Sequence, residues 1–259
     1  QESYQENFSN SSLYDLDLPI QYMITLANKY VTTNFNKMQN FKRTKIFQWF
    51  ESVTIQKGLP VTILIRAIYF VDLYYSTIPF ANNHPLITNN KQMMKWQDYV
   101  IPSILFDIAA KLENRRILPS VIYTFEIDCT DMLDLQLSVL QALNYNVTMP
   151  MTLDFISVFA VDLFQLKPKS LNESQLLCSP LTKERDFKVT IQKFMAQAAI
   201  QAIEVTCNEN ACGMSQYVLA AAIAIKTIKK LDKPMTKKVV KYVISLGIEI
   251  ADVMQLIEE

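Results

Sequence analysis

Two alanine-rich stretches, "DIAAKL" at 107–112 and "LAAAIAI" at 219–225, lie about 110 residues apart. Each sits inside a segment whose apolar residues recur at helical spacing. An alanine-rich helix carries little side-chain volume, so neighbouring helices approach it closely on several sides. Such a helix belongs at the centre of a bundle. Each stretch lies in the third of five consecutive helical segments, which points to one architecture used twice.

The first run comprises "FKRTKIFQWFESVTIQK" (41–57), "PVTILIRAIYFVDLYYS" (60–76), "WQDYVIPSILFDIAAKLEN" (96–114), a short segment beginning at Pro119, and "DMLDLQLSVLQALNYN" (131–146). Gly58 is a plausible stop for the first segment, and Pro60 begins the second. Pro102 either kinks the third segment or marks its true first turn. Pro150 breaks the chain. The second run comprises 151–166, 186–206, 215–231, 236–247 and 249–259, with a polar linker holding Pro168 and Pro180 after its first member. Ahead of both lies "DLPIQYMITLANKYVT" (17–32), with Pro19 near its first turn. The reading is all-α: an N-terminal extension and helix in 1–40, a first five-helix domain in 41–150 and a second in 151–259.

Composition narrows the function. Three glycines in 259 residues argue against sheet-rich folds and Gly-rich phosphate loops. Lys plus Arg equals Asp plus Glu at 25 each, which argues against a nucleic-acid binder with its usual basic excess. No apolar run approaches the ~20 residues of a membrane span. The opening "QESYQENFSNSS" is polar, unlike a signal peptide. Cys129, Cys178, Cys207 and Cys212 form no C-x-x-C pair, and His84 is the single histidine. That excludes the familiar zinc spacings and favours reduced, buried thiols. With one histidine on a polar loop and no recognisable nucleophile, an all-α enzyme is disfavoured.

Charged residues inside the apolar pattern carry the next clue. Arg43 precedes "KIFQWF" and Asp72 interrupts "YFVDLYYS". A buried arginine needs a partner, and a bidentate pair with Asp72 would satisfy both; spacing equally allows each to face water. Lys111 lies about one turn beyond Ile108, and Gln136, Leu140 and Leu143 share a face of a later segment. An apolar stripe with one lysine and one glutamine is either an ordinary face ending in solvent or a partner surface with polar teeth.

"RTKIFQWF", "AIYFVDLYYS", "IAAKLEN", "LPSVIYTFEIDCTDMLDLQLSVLQALNYNV" and "PMTLDFI" follow one another in the order and approximate spacing of a cyclin box. The resemblance spans about residues 41 to 155. The second half resembles the cyclin C-terminal box more loosely, through its helix count and "AAAIA". The stretch from Pro19 to Thr32 corresponds to the cyclin N-terminal helix.

This resemblance implies a regulatory subunit, without catalytic residues or cofactor, that binds and activates a cyclin-dependent protein kinase in the nucleus and cytoplasm. Kinase substrates or inhibitors would be further partners. Arg43 and Asp72 would form a buried structural pair. Lys111 would reach the kinase backbone beside its mobile regulatory helix. The glutamate that works with this lysine in cyclins is replaced here by Gln136. A neutral amide accepts a weaker hydrogen bond than a carboxylate, a loss on the order of 1 kcal/mol. Glu113, two residues from Lys111, is a candidate to compensate, although helical geometry turns it to another side. Ile108, Leu140, Tyr145 and Val147 occupy the apolar kinase-contact positions.

Many cyclins also carry a substrate-docking patch centred on a tryptophan, which Trp49 matches, with Ile46 beside it; plain core packing is the other reading of Trp49. The surroundings depart from the pattern. Lys42 and Lys45 stand at its methionine and isoleucine positions, and Ser52 at its acidic position. Two cations gained and a carboxylate lost should repel a basic, leucine-containing peptide. The Asn-rich loop from Thr77 to Lys95 reads as a solvated insertion.

Three other readings compete. A cyclin-fold adaptor of the transcription-factor type would use a basic face, for which "KKLDKPMTKKVVK" (229–241) is the one basic run. A cyclin-like protein that has lost kinase activation is kept open by Gln136. The enzyme reading has the least support.

Overall fold

The computed structural model describes residues 20–28, 40–77, 87, 89, 91, 97–115, 126–165 and 180–257. All regular structure among them is helical. The helices are α1 (Ile20–Asn28), α2 (Asn40–Gln56), α3 (Val61–Thr77), α4 (Gln97–Leu112), α5 (Cys129–Ala142), α6 (Thr152–Gln165), α7 (Pro180–Cys207), α8 (Gln216–Leu231), α9 (Thr236–Ser245) and α10 (Ile250–Gln255). The expected helix at Pro119 and most of the 77–95 loop lie outside the described residues.

The chain divides into two compact units. One comprises Tyr30–Met149 with Ala211–Gly213; the other comprises Gln1–Lys29, Pro150–Asn210 and Met214–Glu259. Helix α1 therefore belongs with the later helices: it packs on α6 and α8 and buries Met23 and Ala27.

In the first unit, α3 packs along α4, and α2 and α5 lean on both. Phe50 of α2 stacks on Phe106 of α4 with centroids 4.5 Å apart and planes 22° from parallel. Both rings are buried, giving α2 and α4 a shared apolar anchor. Gly58 ends α2 with φ +59°, a left-handed residue that glycine adopts without a Cβ penalty. The turn is closed by the Leu59 N–H on the Thr54 carbonyl at 2.9 Å, and Leu59 tucks into the core. Pro102 lies inside α4, in its second turn, where it has no N–H to offer the preceding turn. Ala109 and Ala110 are fully buried.

In the second unit, α8 is central. It contacts α1, α6, α7, α9 and α10, and Ala220, Ala221, Ala222 and Ala224 are all fully buried. Helix α7 begins at Pro180, six residues before the expected start at 186. Proline at the first helical position forfeits only an N–H that has no helical partner there. Thr152 and Gln216 tie the starts of α6 and α8 together: the Thr152 hydroxyl donates to Gln216 Oε1 at 2.6 Å and its N–H to the same oxygen at 3.2 Å.

Candidate functional site

Helices α4 and α5 bring three polar side chains into a closed ring. Lys111 occupies the last turn of α4, and Asp107 lies one turn earlier on the same face. Their Nζ and Oδ2 atoms are 2.9 Å apart. Lys111 Nζ also donates to Gln136 Oε1, 25 residues away on α5, at 3.2 Å. Gln136 Nε2 donates to Asp107 Oδ2 at 3.3 Å. Asp107 is wholly buried, whereas the Lys111 side chain is 42% exposed. A buried carboxylate is tolerable when charge-assisted hydrogen bonds replace its water. A cation in the final turn of α4 is also favoured by the carbonyl end of the helix.

The ends of both helices fix this geometry. Helix α4 stops immediately after Lys111, with Asn114 left-handed at φ +56° and the Arg115 N–H on the Ala110 carbonyl at 2.8 Å. Helix α5 is capped at its start by Asp128, whose side chain accepts from the Thr130 N–H at 2.7 Å. That bond, chiefly, holds the Asp128 carboxyl below its ordinary range. At the far end Asn144 and Tyr145 are both left-handed, at φ +50° and +55°, and the Tyr145 N–H closes on the Leu140 carbonyl at 2.9 Å. Asparagine visits this region readily; a bulky aromatic does so at a cost.

Around the ring lies an apolar surface. Leu133 and Leu137 are 58% and 50% exposed, one turn apart on α5, and Leu140 continues the same face half-buried. Tyr145 is 58% exposed and Val147 is half-buried. Ile108 is corrected: at 5% exposure it belongs to the core and presents almost no surface. Leu133 and Leu137 supply exposed area in its place. Glu113 turns away from Lys111, as helical geometry requires, and pairs with Arg66 at 3.7 Å. The carboxylate that serves Lys111 is Asp107. Gln136 is almost buried and its oxygen faces Lys111, so it is not an acceptor open to solvent.

Two spacings in the sequence would have marked Asp107 and the exposed leucines. An acid four positions before a lysine marks a helical ion pair, which identifies Asp107. The recurrence of Leu at 133, 137 and 140 marks a continuous apolar face.

Arg43 and Asp72 meet inside the same unit. Arg43 is 3% exposed and Asp72 7%. The pair joins α2 to α3 through buried, mutually satisfied charges.

The tryptophan face is a mixture. Trp49 is half-buried between Phe50, at 5.2 Å between centroids, and the edge of Tyr99 at 5.7 Å. Lys45 and Ser52 are exposed beside it. Lys42 lies 3.4 Å from Asp98, which offsets part of its charge. Ile46 is corrected: at 2% exposure it is a core residue and offers no docking surface. Nearby, Tyr74 and Tyr75 form an edge-to-face pair at 5.0 Å. Burial pushes the Tyr74 phenol up to about 12. Burial first, then Tyr74 and Asp98, push Tyr75 well above its ordinary value.

Among the described residues no group of histidine, cysteine or carboxylate side chains could hold a metal ion. Cys207 and Cys212 are half-buried, and Cys129 is exposed, contrary to the expectation of buried thiols. His84 and Cys178 lie outside the described residues. No described helix is long and apolar enough to cross a membrane. No protein-family model matches the chain, and no curated protein matches it.

Proposed function

We propose that this chain is a cyclin-type regulatory subunit, built from two cyclin boxes, that binds a cyclin-dependent protein kinase and stabilises its active form. The observation that carries the reading is the meeting of Lys111 and Gln136 at 3.2 Å within an apolar surface. The resemblance to cyclins assigns these two positions to one contact, and they come from different helices, 25 residues apart. The exposed Leu133 and Leu137 add the second requirement, because adjacent exposed leucines on one helix face suit a partner surface.

The chain itself performs no chemistry in this reading. The α4–α5 surface holds the kinase's regulatory helix inward, where a glutamate on that helix pairs with the ATP-binding lysine. Preferential binding of that arrangement is sufficient, since a ligand shifts an equilibrium by its differential affinity.

Capture of purified cyclin-dependent kinases tests the reading. Wild-type protein should capture a kinase, while Leu137→Asp, Leu140→Asp and Lys111→Glu lose it. Leu137→Asp is the decisive variant, since an exposed position tolerates a carboxylate without loss of folding. Capture indifferent to all three would remove the reading.

One observation favours the cyclin-fold adaptor as an alternative. Lys229, Lys230, Lys233, Lys237, Lys238 and Lys241 are all exposed on the α8–α9 connection. Salt-sensitive binding to nucleic acid or an acidic protein, without kinase capture, would select it.

A further inference from the structure

Residues 229–241 carry six lysines and one acid, Asp232, in a chain whose formal net charge is zero. All six lysines are exposed. Glu204 of α7 takes up Lys226 at 3.2 Å and Lys230 at 3.6 Å. Among the described residues, Lys229, Lys233, Lys237, Lys238 and Lys241 have no ion-pair partner. Lys229 and Lys230 have a local reason to be there, since the carbonyls of the last turn of α8 favour a cation. Lys237 and Lys238 do not. They occupy the first turn of α9, the end that favours a carboxylate, and neither an acid nor a side-chain cap stands there. These two cations work against their own helix.

Val239 and Val243 are buried beneath α9. Lys237, Lys241 and Ile244 follow at the spacing of one outward face, about 10 Å long. Ile244 is exposed, as is Leu231 at the end of α8, so two open apolar residues bracket Lys233, Lys237, Lys238 and Lys241 in sequence. We propose that the outer face of α9, with the turn that leads into it, is a docking surface for an acidic peptide segment carrying an apolar side chain among its carboxylates. The lysines steer and select the segment, and the apolar contact holds it. A nucleic acid fits this surface less well. No arginine lies on it to fork a phosphate. Its one aromatic, Tyr242, is half-buried and donates its hydroxyl to Asp162 at 2.5 Å, so no ring stands free for a base to stack on. Leu231 and Ile244 would find no partner on a phosphate backbone. The surface uses neither α4 nor α5, so it stands apart from kinase binding.

Fluorescence anisotropy with the full chain tests this. The probes are a labelled peptide of glutamates and aspartates with a central leucine, the same peptide with alanine in that place, and a single-stranded oligonucleotide of equal charge. The leucine peptide should bind at micromolar concentration and weaken as salt rises. Lys237→Glu and Lys241→Glu should each weaken it about fivefold or more, and Ile244→Ser about threefold, as should the alanine peptide on wild type. Lys193→Glu makes the same charge change at an exposed position of α7 and should leave binding within about twofold. The urea midpoint of Lys237→Glu should match or exceed that of wild type, because a carboxylate suits the first turn of a helix. A lowered midpoint would assign the lysine to folding and overturn the proposal. So would absence of peptide binding, or an equal loss in Lys193→Glu. Oligonucleotide binding as tight as that of the leucine peptide would overturn it as well, marking a surface for polyanions in general.

Discussion

Arg43 and Asp72 face each other through two parallel hydrogen bonds, Nε to Oδ1 at 2.8 Å and Nη2 to Oδ2 at 2.9 Å, across 29 residues of sequence. This fork satisfies both charges of a pair that water barely reaches. Removal of one partner strands the other. Arg43→Met should destabilise the first unit by about 3–5 kcal/mol, while Arg43→Met/Asp72→Leu should recover much of that loss. Urea unfolding of the two variants measures the difference. Equal losses in both would show that the arginine matters through packing and not through charge.

The exposed leucines separate binding from folding. Leu133→Ser and Leu137→Ser remove apolar surface that is already open to water, so unfolding free energies should stay within about 0.5 kcal/mol of wild type. Kinase capture should fall sharply in both. Normal capture by the two variants would place the partner surface elsewhere on the molecule.

The tryptophan face should not hold a basic, leucine-containing docking peptide at micromolar concentration. Lys45 repels it, Ser52 offers no charge, and Ile46 is withdrawn into the core. Peptide titration by fluorescence of Trp49 reads this directly. Ser52→Glu combined with Lys45→Ile should raise affinity, and tight binding by the wild-type protein would contradict the expectation.

Alkali should loosen the first unit through its paired tyrosines. Tyr74, held near 12, and Tyr75, pushed well above its ordinary value by burial, keep their protons in the folded state at pH values where unfolded phenols near 10 release them. Their contribution is complete below about pH 10 and declines as the pH rises through the folded-state values. The urea midpoint should fall between about pH 10 and 12, and the slope should be shallower in Tyr74→Phe. An unchanged slope in that variant would assign the loss to other groups.

The helices were legible because apolar residues at 3.6-residue spacing survive without knowledge of their partners. Helix α7 began early for a local reason: residues 180–185 lack apolar periodicity, and helical pattern reading starts only where that periodicity does. The site was legible in part. The order of motifs singles out Lys111 and Gln136, and the two side chains do meet at 3.2 Å. Asp107 was passed over because an acid in an apolar helix reads alike whether it faces water or a buried lysine. Ile108 is buried and the leucines at 133 and 137 are exposed for a geometric reason. One residue on a helix is about 100° of rotation, so the face that α3 covers decides which residues remain open.

The alanine lining of α8 has a consequence for how the second unit can vary. Ala220, Ala221, Ala222 and Ala224 are fully buried in a helix that five others contact. The helix is a gauge: its thickness sets the spacing of everything around it. A longer side chain at any of these positions must displace a packed neighbour at about 1–3 kcal/mol, and the displacement is shared by every element that neighbour touches. Changes on the outer faces of α7 or α9 carry no such coupling. Sequence drift in this unit should therefore run around the rim and leave the axle untouched.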